Sequence, residues 1–257
     1  DAVTGWVPVR SPLSFAREGY LTGTFPPGER SAERFTLALR GAHRAGFDAW
    51  RLLSSGDRPV MCSMDLAVVE PRTTGREPRE QVAAERNHRQ IEGAMWSSWI
   101  RAIEDGVLMI PGRADEAMPE ALGAYDVVGF SYQGGLGARA EDTVPYPADA
   151  PVDASGRSVW SEGLGLVLRR LADSLPRRPL VVTGCEVATR SGTDEDDLRA
   201  QHLAGCLDEV ERALGDGVPV AGFLAGPGID GYEWGAGFSI ETGVIDRART
   251  LKASGRA

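Results

Sequence analysis

Lysine is almost missing from this chain of 257 residues: Lys252 is the only one, and every other basic residue is arginine. That bias reflects coding composition more than mechanism, and it carries no functional weight. Cysteine is scarce too. Cys62, Cys185 and Cys206 are odd in number, form no CxxC pair and lack zinc-type histidine spacing, which argues against a disulfide framework and a structural metal. A reducing, cytoplasmic setting is the expectation, with no metal and no cofactor. The three histidines, His43, His88 and His202, fall on predicted helices far from any strand end, and none is expected to be catalytic. Long apolar runs are absent: Pro179 to Val182 and Val218 to Leu224 fall far short of the roughly 18 residues that span a bilayer. No GxGxxG or GxxxxGK[ST] opens a helix, and Gly134-Gly135-Leu136-Gly137, the nearest approach, leads into a polar stretch. The chain opens on Asp1 with neither an initiator methionine nor a basic-then-apolar leader, so no signal peptide is expected and an N-terminal portion is expected to be missing.

What remains is the composition of a packed globule. Hydrophobic residues make up 42% and charged residues 25%, so disorder is excluded. The net charge of −9 and pI near 5.0 repel phosphate backbones, which makes nucleic acid a poor partner. Glycine and proline divide the chain into short apolar runs alternating with longer amphipathic stretches. Strands are expected at Trp6 to Val9, Pro59 to Val69, Tyr125 to Tyr132, Pro179 to Thr183 and Val218 to Leu224. Helices are expected at Ala32 to Leu53, Glu80 to Ile103, Trp160 to Leu175, and from a Thr193 cap with acids at Glu195 to Asp197 as far as Leu214. The stretch from Gly134 to Ser158 reads as loop and the tail after Asp246 as short and polar. Five strands with four intervening helices predict parallel βαβ units and an α/β fold. Without a dinucleotide fingerprint, a (β/α)8 TIM-type barrel is preferred to a doubly wound sheet. Ser11, Asp65, Tyr132, Glu186 and Asp230 collect just after strands, where a barrel builds its site.

Several segments, in order, resemble glycoside hydrolase family 1, the β-glucosidase family. GFLAGPGIDGYEWGAGFSIETGVID at 222–246 is similar to the family's GYFxWSLLDNFEWxxGYxxRFGLxxVD. GYLTGTFPPG at 19–28 resembles GYxxGxxxPG, and Ala42-His43 with Ala49-Trp50-Arg51 resembles AHARAVxAxR. YDVVGFSY at 125–132 resembles DFIGxNYY, SEGL at 161–164 resembles PEGL, and PLVVTGCEVA at 179–188 resembles PLYITENGxA. The resemblance covers almost the whole chain and implies a single domain, 1–257, that represents only strands 4 to 8 of the barrel. Five strands cannot close an eight-stranded barrel. The rest is expected from an N-terminal half in the same longer chain, or from a partner chain that covers the open edges.

Departures from the pattern are equally informative. The resemblance implies an acid/base glutamate in TFNEP and a nucleophile in TENG, because retention needs two carboxyl groups about 5 Å apart. In WVPVRSP the first position falls on Ser11, and in VVTGCE the second falls on Gly184. Neither side chain can do the work of the glutamate it replaces. The tryptophan that supports the sugar ring in WSLLDN falls on Gly226, while Glu233, Trp234 and Tyr132 keep their sugar-contacting counterparts. The expectation is therefore a catalytically impaired pseudoenzyme that binds a saccharide or glycoside, or serves an accessory or regulatory role. Glu186, two residues beyond Gly184, and Asp65, where the family has asparagine, are the substitutes that an active β-glycosidase or transglycosidase would use. A scaffold that binds a protein partner is the alternative from another class.

Overall fold

The computed structural model describes residues 3–73, 77–190 and 195–256. In chain order these are helices α1 (Pro12–Ala16) and α2 (Ala32–Leu53), strand β1 (Met61–Pro71), helices α3 (Pro78–Glu92) and α4 (Ser98–Asp105), and strands β2 (Val107–Leu108) and β3 (Glu116–Ala117). Strands β4 (Val127–Ala138) and β5 (Thr143–Tyr146), helix α5 (Glu162–Ser174), strands β6 (Leu180–Gly184) and β7 (Thr189–Arg190), helix α6 (Asp196–Gly215), and strands β8 (Val220–Phe223) and β9 (Ile240–Glu241) follow.

The main sheet runs β1-β4-β6-β8, every neighbour parallel. Strand order thus follows chain order with no reversal, as in an arc of barrel; a doubly wound sheet would turn back at a switch point. The segment before α1 lies along the outer edge of β1 through parallel bridges Trp6↔Val60 and Arg10↔Ser63. Five parallel positions are therefore occupied, in the order expected. β1 is buried almost continuously, as a strand covered on both faces must be.

Helix α2 begins where Ser31 Oγ accepts from the Arg34 amide at 3.2 Å, and it buries Leu39, His43, Gly46 and Phe47 on one face. The single helix expected at 80–103 is instead α3 and α4 joined by a π-helical turn at Gly93–Ser97. Gly93 sits against Pro111, whose Cγ would lie 2.9 Å from any Cβ there. The turn places Trp96 and Trp99 in the core, both 1% exposed. Their indole nitrogens donate to the carbonyls of Ala67 at 3.2 Å and Met95 at 2.9 Å. Such indoles bury about 200 Å² each, roughly 5 kcal/mol of transfer free energy before ordering costs.

Two parts read as loop or tail prove to be structured. Strand β4 continues through the glycine segment, and Gly135 to Ala138 pair antiparallel with β5. Glycines fit because Gly135 lies directly under the Tyr146 carbonyl, leaving no room for a side chain. The tail is tied down by Ser254, whose amide and hydroxyl donate to Asp196 at 2.8 and 2.7 Å, and by Lys252, which pairs with Asp230 at 2.6 Å and Glu241 at 2.8 Å. The expected Thr193 cap lies outside the described residues. Among those residues no helix is long and apolar enough to cross a membrane.

Candidate functional site

Parallel register sets the site. Asp65 on β1 is level with Ser131 on β4, and Ser131 is level with Gly184 on β6. Ser11, whose amide donates to Ser63 O at 2.9 Å, stands beside Asp65 on the outer edge. At about 4.8 Å per strand, this row at the C-terminal strand ends is about 14 Å wide. All three strand pairs shift register along their length, the kind of irregularity that re-aims side chains next to sites.

Ser11 holds a left-handed backbone, φ 51° and ψ 54°, at the head of α1. That conformation costs a non-glycine residue on the order of 1 kcal/mol, and it aims the hydroxyl inward. Ser11 Oγ donates to Asp65 Oδ1 at 2.9 Å. Asp65 is 6% exposed, and its Oδ2 is buried without a hydrogen-bond partner. Ser11 and Asp65, both read from the sequence as lying just after strands, are thus neighbours in space.

Glu186 folds back over the end of β6. A Cβ built on Gly184 would lie 2.7 Å from Glu186 Oε1 and 3.3 Å from Ser131 Oγ, and one built on Gly226 would lie 2.7 Å from Glu186 Cγ. The carboxylate therefore fills space that side chains at 184 and 226 would need. Gly226 also has φ 102°, which excludes an ordinary tryptophan in that backbone. Burial raises the pKa of Glu186. Arg157 and Arg10 oppose the shift, and the charges of Asp65 and Glu233 add to it. Strand register puts Asp65 level with Ser131 and Gly184, the position Glu186 packs against.

Three polar residues that the sequence reading passed over complete the wall. Arg157 Nη1 donates to Gln133 Oε1 at 2.7 Å, and Gln133 Nε2 donates to Ser131 Oγ at 2.8 Å. Asp153 anchors this relay: its Oδ1 accepts from the Ser155 and Arg157 amides, both at 2.9 Å, and its Oδ2 from the Ala188 amide at 3.0 Å. The Asp-Ala-Ser-Gly string at 153–156 is an Asx-turn signal that could have flagged it.

Tyr132 is not at the open face. It is 2% exposed, its hydroxyl donates to the Trp160 carbonyl at 2.6 Å, and its ring stacks on His202. Next along β4 from the site-facing Ser131, it points to the opposite face of the strand, into the core behind the sheet. Glu233 spends Oε1 on Thr242 Oγ1 at 3.0 Å. Trp234 is 62% exposed, with Phe25 at 6.4 Å and Tyr232 at 6.0 Å between ring centres. Asp230 is committed to Lys252 and to the Gly243 amide at 2.8 Å. The thiols of Cys62, Cys185 and Cys206 are free and buried. Burial pushes Cys62 up to about 12, and a hydrogen bond with Cys185, then burial, raises Cys206. Among the described residues no three His, Cys, Asp or Glu side chains converge to hold a metal ion.

A parallel sheet laid out in chain order, with its polar side chains at the C-terminal strand ends, defines a partial (β/α)8 barrel. The chain is similar to glycosyl hydrolase family 1 proteins of the β-glucosidase type. The family's sequence profile matches residues 130–256. A 1,4-beta-D-glucan glucohydrolase of Thermotoga neapolitana is 24% identical over 99% of this chain, and the lactase/phlorizin hydrolase of Homo sapiens is 24% identical over 95%. A family 1 glycoside hydrolase of Thermotoga maritima, solved with a cyclophellitol analogue, superposes with a TM-score of 0.83 at 22% identity over 98% of this chain. The chain spans 62% of the length of both Thermotoga proteins and 15% of the human one.

Proposed function

We propose that this is a carbohydrate-binding relative of the family 1 glycosidases that has lost their two-glutamate hydrolysis, and that acts in an accessory or regulatory capacity. One observation carries the reading: Glu186 is wedged between Gly184 and Gly226, in the space of the nucleophile and of the stacking tryptophan implied by the family pattern. At the other position Ser11 donates its proton to Asp65, and a carboxylate is too weak a base to make that serine a proton shuttle at neutral pH. Glu233 and the exposed Trp234 are the sugar contacts of this reading. Further polypeptide, in a longer chain or a partner, covers the open edges of the arc, where Trp6 and Val7 at one end and Leu224 at the other are 42%, 46% and 56% exposed. The buried free thiols suit a reducing compartment such as the cytoplasm.

Calorimetric titration with monosaccharides tests it. Glu233→Ala is expected to weaken binding by about 1 to 3 kcal/mol, the penalty for removing one partner of a buried polar contact. Identical isotherms for parent and variant, or binding by neither, would remove the carbohydrate reading.

A second reading has its own observation. Glu186 presents a carboxylate of raised pKa where a nucleophile or acid would be useful, with Asp65 across the same row. Steady hydrolysis of an unactivated disaccharide, abolished by Glu186→Gln, would establish a displaced-carboxylate glycosidase in place of the first reading.

A further inference from the structure

The wall just described carries more negative charge than its own partners satisfy. Asp65 Oδ2 is buried and accepts nothing, in a side chain 6% exposed. Glu186 has no hydrogen-bond donor among the described residues, and Glu233 uses only Oε1. Two arginines are near enough to act on Glu186, yet neither donates to these carboxylates. Arg157 is committed to Gln133, to Ser155 Oγ at 2.9 Å and to Asp153 at 3.7 Å, and Arg10 is exposed. Asp65, level with Ser131, and Glu186, packed against Gly184 in the same row, have open lone pairs at the strand ends and call for a donor that brings positive charge.

A metal ion does not answer that demand, because no three acidic side chains among the described residues come close enough to share one. The acids are instead spread from β1, through the segment after β6, to the loop following β8. A ligand of the size of a sugar ring can reach across that spread where a point ion cannot. The two glycines matter here as well: with no side chain at 184 or 226, the Glu186 carboxylate can lie over the end of β6 in the same row as Ser131.

The geometry points to a basic sugar as the ligand, an aminosugar or amino-deoxy glycoside whose ammonium group is held by Asp65 and Glu186. This inference rests on the carbohydrate reading above and narrows it to one class of saccharide. Because the ammonium must reach Asp65 and Glu186 at one part of the row, the affinity depends on which carbon carries the amine.

The test is a matched series of methyl β-glucosides: the neutral parent, the 2-, 4- and 6-amino-deoxy analogues, and the 2-acetamido analogue, titrated into the full chain at neutral pH and low salt. At least one amino sugar is expected to bind about tenfold or more tightly than the parent and the acetamide, with the advantage shrinking as ionic strength rises. Glu186→Gln and Asp65→Asn are each expected to reduce that ratio severalfold, with far-ultraviolet circular dichroism showing that the variants are folded. Equal binding of neutral and amino sugars would overturn the inference and leave the carbohydrate reading standing. Failure of every sugar to bind would overturn both. An amino-sugar preference that survives both substitutions would overturn the assignment of the ammonium to these carboxylates.

Discussion

Asp153 offers a perturbation whose size can be worked from its contacts. Its side chain is 1% exposed and makes four hydrogen bonds: Oδ1 accepts from the Ser155 amide, the Ser155 hydroxyl at 2.7 Å and the Arg157 amide, and Oδ2 accepts from the Ala188 amide. In Asp153→Ala the Ala188 amide, in a residue 1% exposed, has nowhere to turn, which costs about 1 to 3 kcal/mol. Ser155 and Arg157 lie nearer solvent, so each of their lost bonds costs roughly 0.5 to 1 kcal/mol. The total is about 3 to 5 kcal/mol, or a fall in melting temperature on the order of 10 °C for a domain of this size. Asp153→Asn keeps an acceptor on one side but turns an amide NH₂ toward the Ala188 N–H, and about 2 kcal/mol is expected. Equilibrium urea unfolding, with unchanged dependence on denaturant, is the assay. An alanine variant within about 0.5 kcal/mol of the parent, less than a single such bond is worth, would refute the idea that Asp153 anchors the loop carrying Arg157 to the strand end carrying Glu186.

The pH dependence of stability tests two other groups. The folded-state pKa of Glu186 is raised, chiefly by burial, so its protonated form favours folding; that contribution is present below the unfolded value and is lost as pH rises through the folded one. Glu186→Gln is therefore expected to melt above the parent at pH 7 and level with it in acid, and a variant that melts lower at pH 7 would contradict the burial argument. His43 and His202 run the other way, both depressed to about 4 by burial. Their contribution is present above pH 6.5 and is lost as pH falls toward 4, worth up to about 3 kcal/mol each. Replacing both with glutamine should flatten the stability profile across that window, and an unchanged slope would mean that neither is buried as neutral imidazole.

The fold was legible where one local rule dominates. Helix α2 could be bounded from Ala32 to Leu53 because a clean apolar face runs along it. The five parallel positions could be placed because their residues are short, β-branched and flanked by punctuation. Periodicity does not see what depends on a distant partner. The π-helical turn at 93–97 answers to Pro111, and the glycines of β4 form strand only because β5 lies against them. In the site, Ser11 and Asp65 could be matched from their positions at strand ends. Tyr132 could not, since which face of β4 meets the site depends on the distant elements packed against it: Ser131 takes that face, and its neighbour Tyr132 points into the core. The Asp153, Arg157 and Gln133 relay was missed for the same reason: it joins a loop to two strands through contacts 24 to 35 residues apart in the chain.

Gly184, Glu186 and Gly226 are best understood as one change rather than three. A side chain at 184 would meet the Glu186 carboxylate, and one at 226 would meet its Cγ, so each glycine is a condition for the glutamate to sit where it does. On the proposed reading, a charged side chain occupies the space of the nucleophile and of the platform. Such a side chain has a desolvation cost, and in this chain that cost appears as the raised pKa of Glu186. Reinstating a glutamate at 184 alone would put a second carboxylate against the first, where the two cannot both stay ionised. On the proposed reading, a single substitution at 184 therefore does not restore the two-carboxylate arrangement that the family pattern implies.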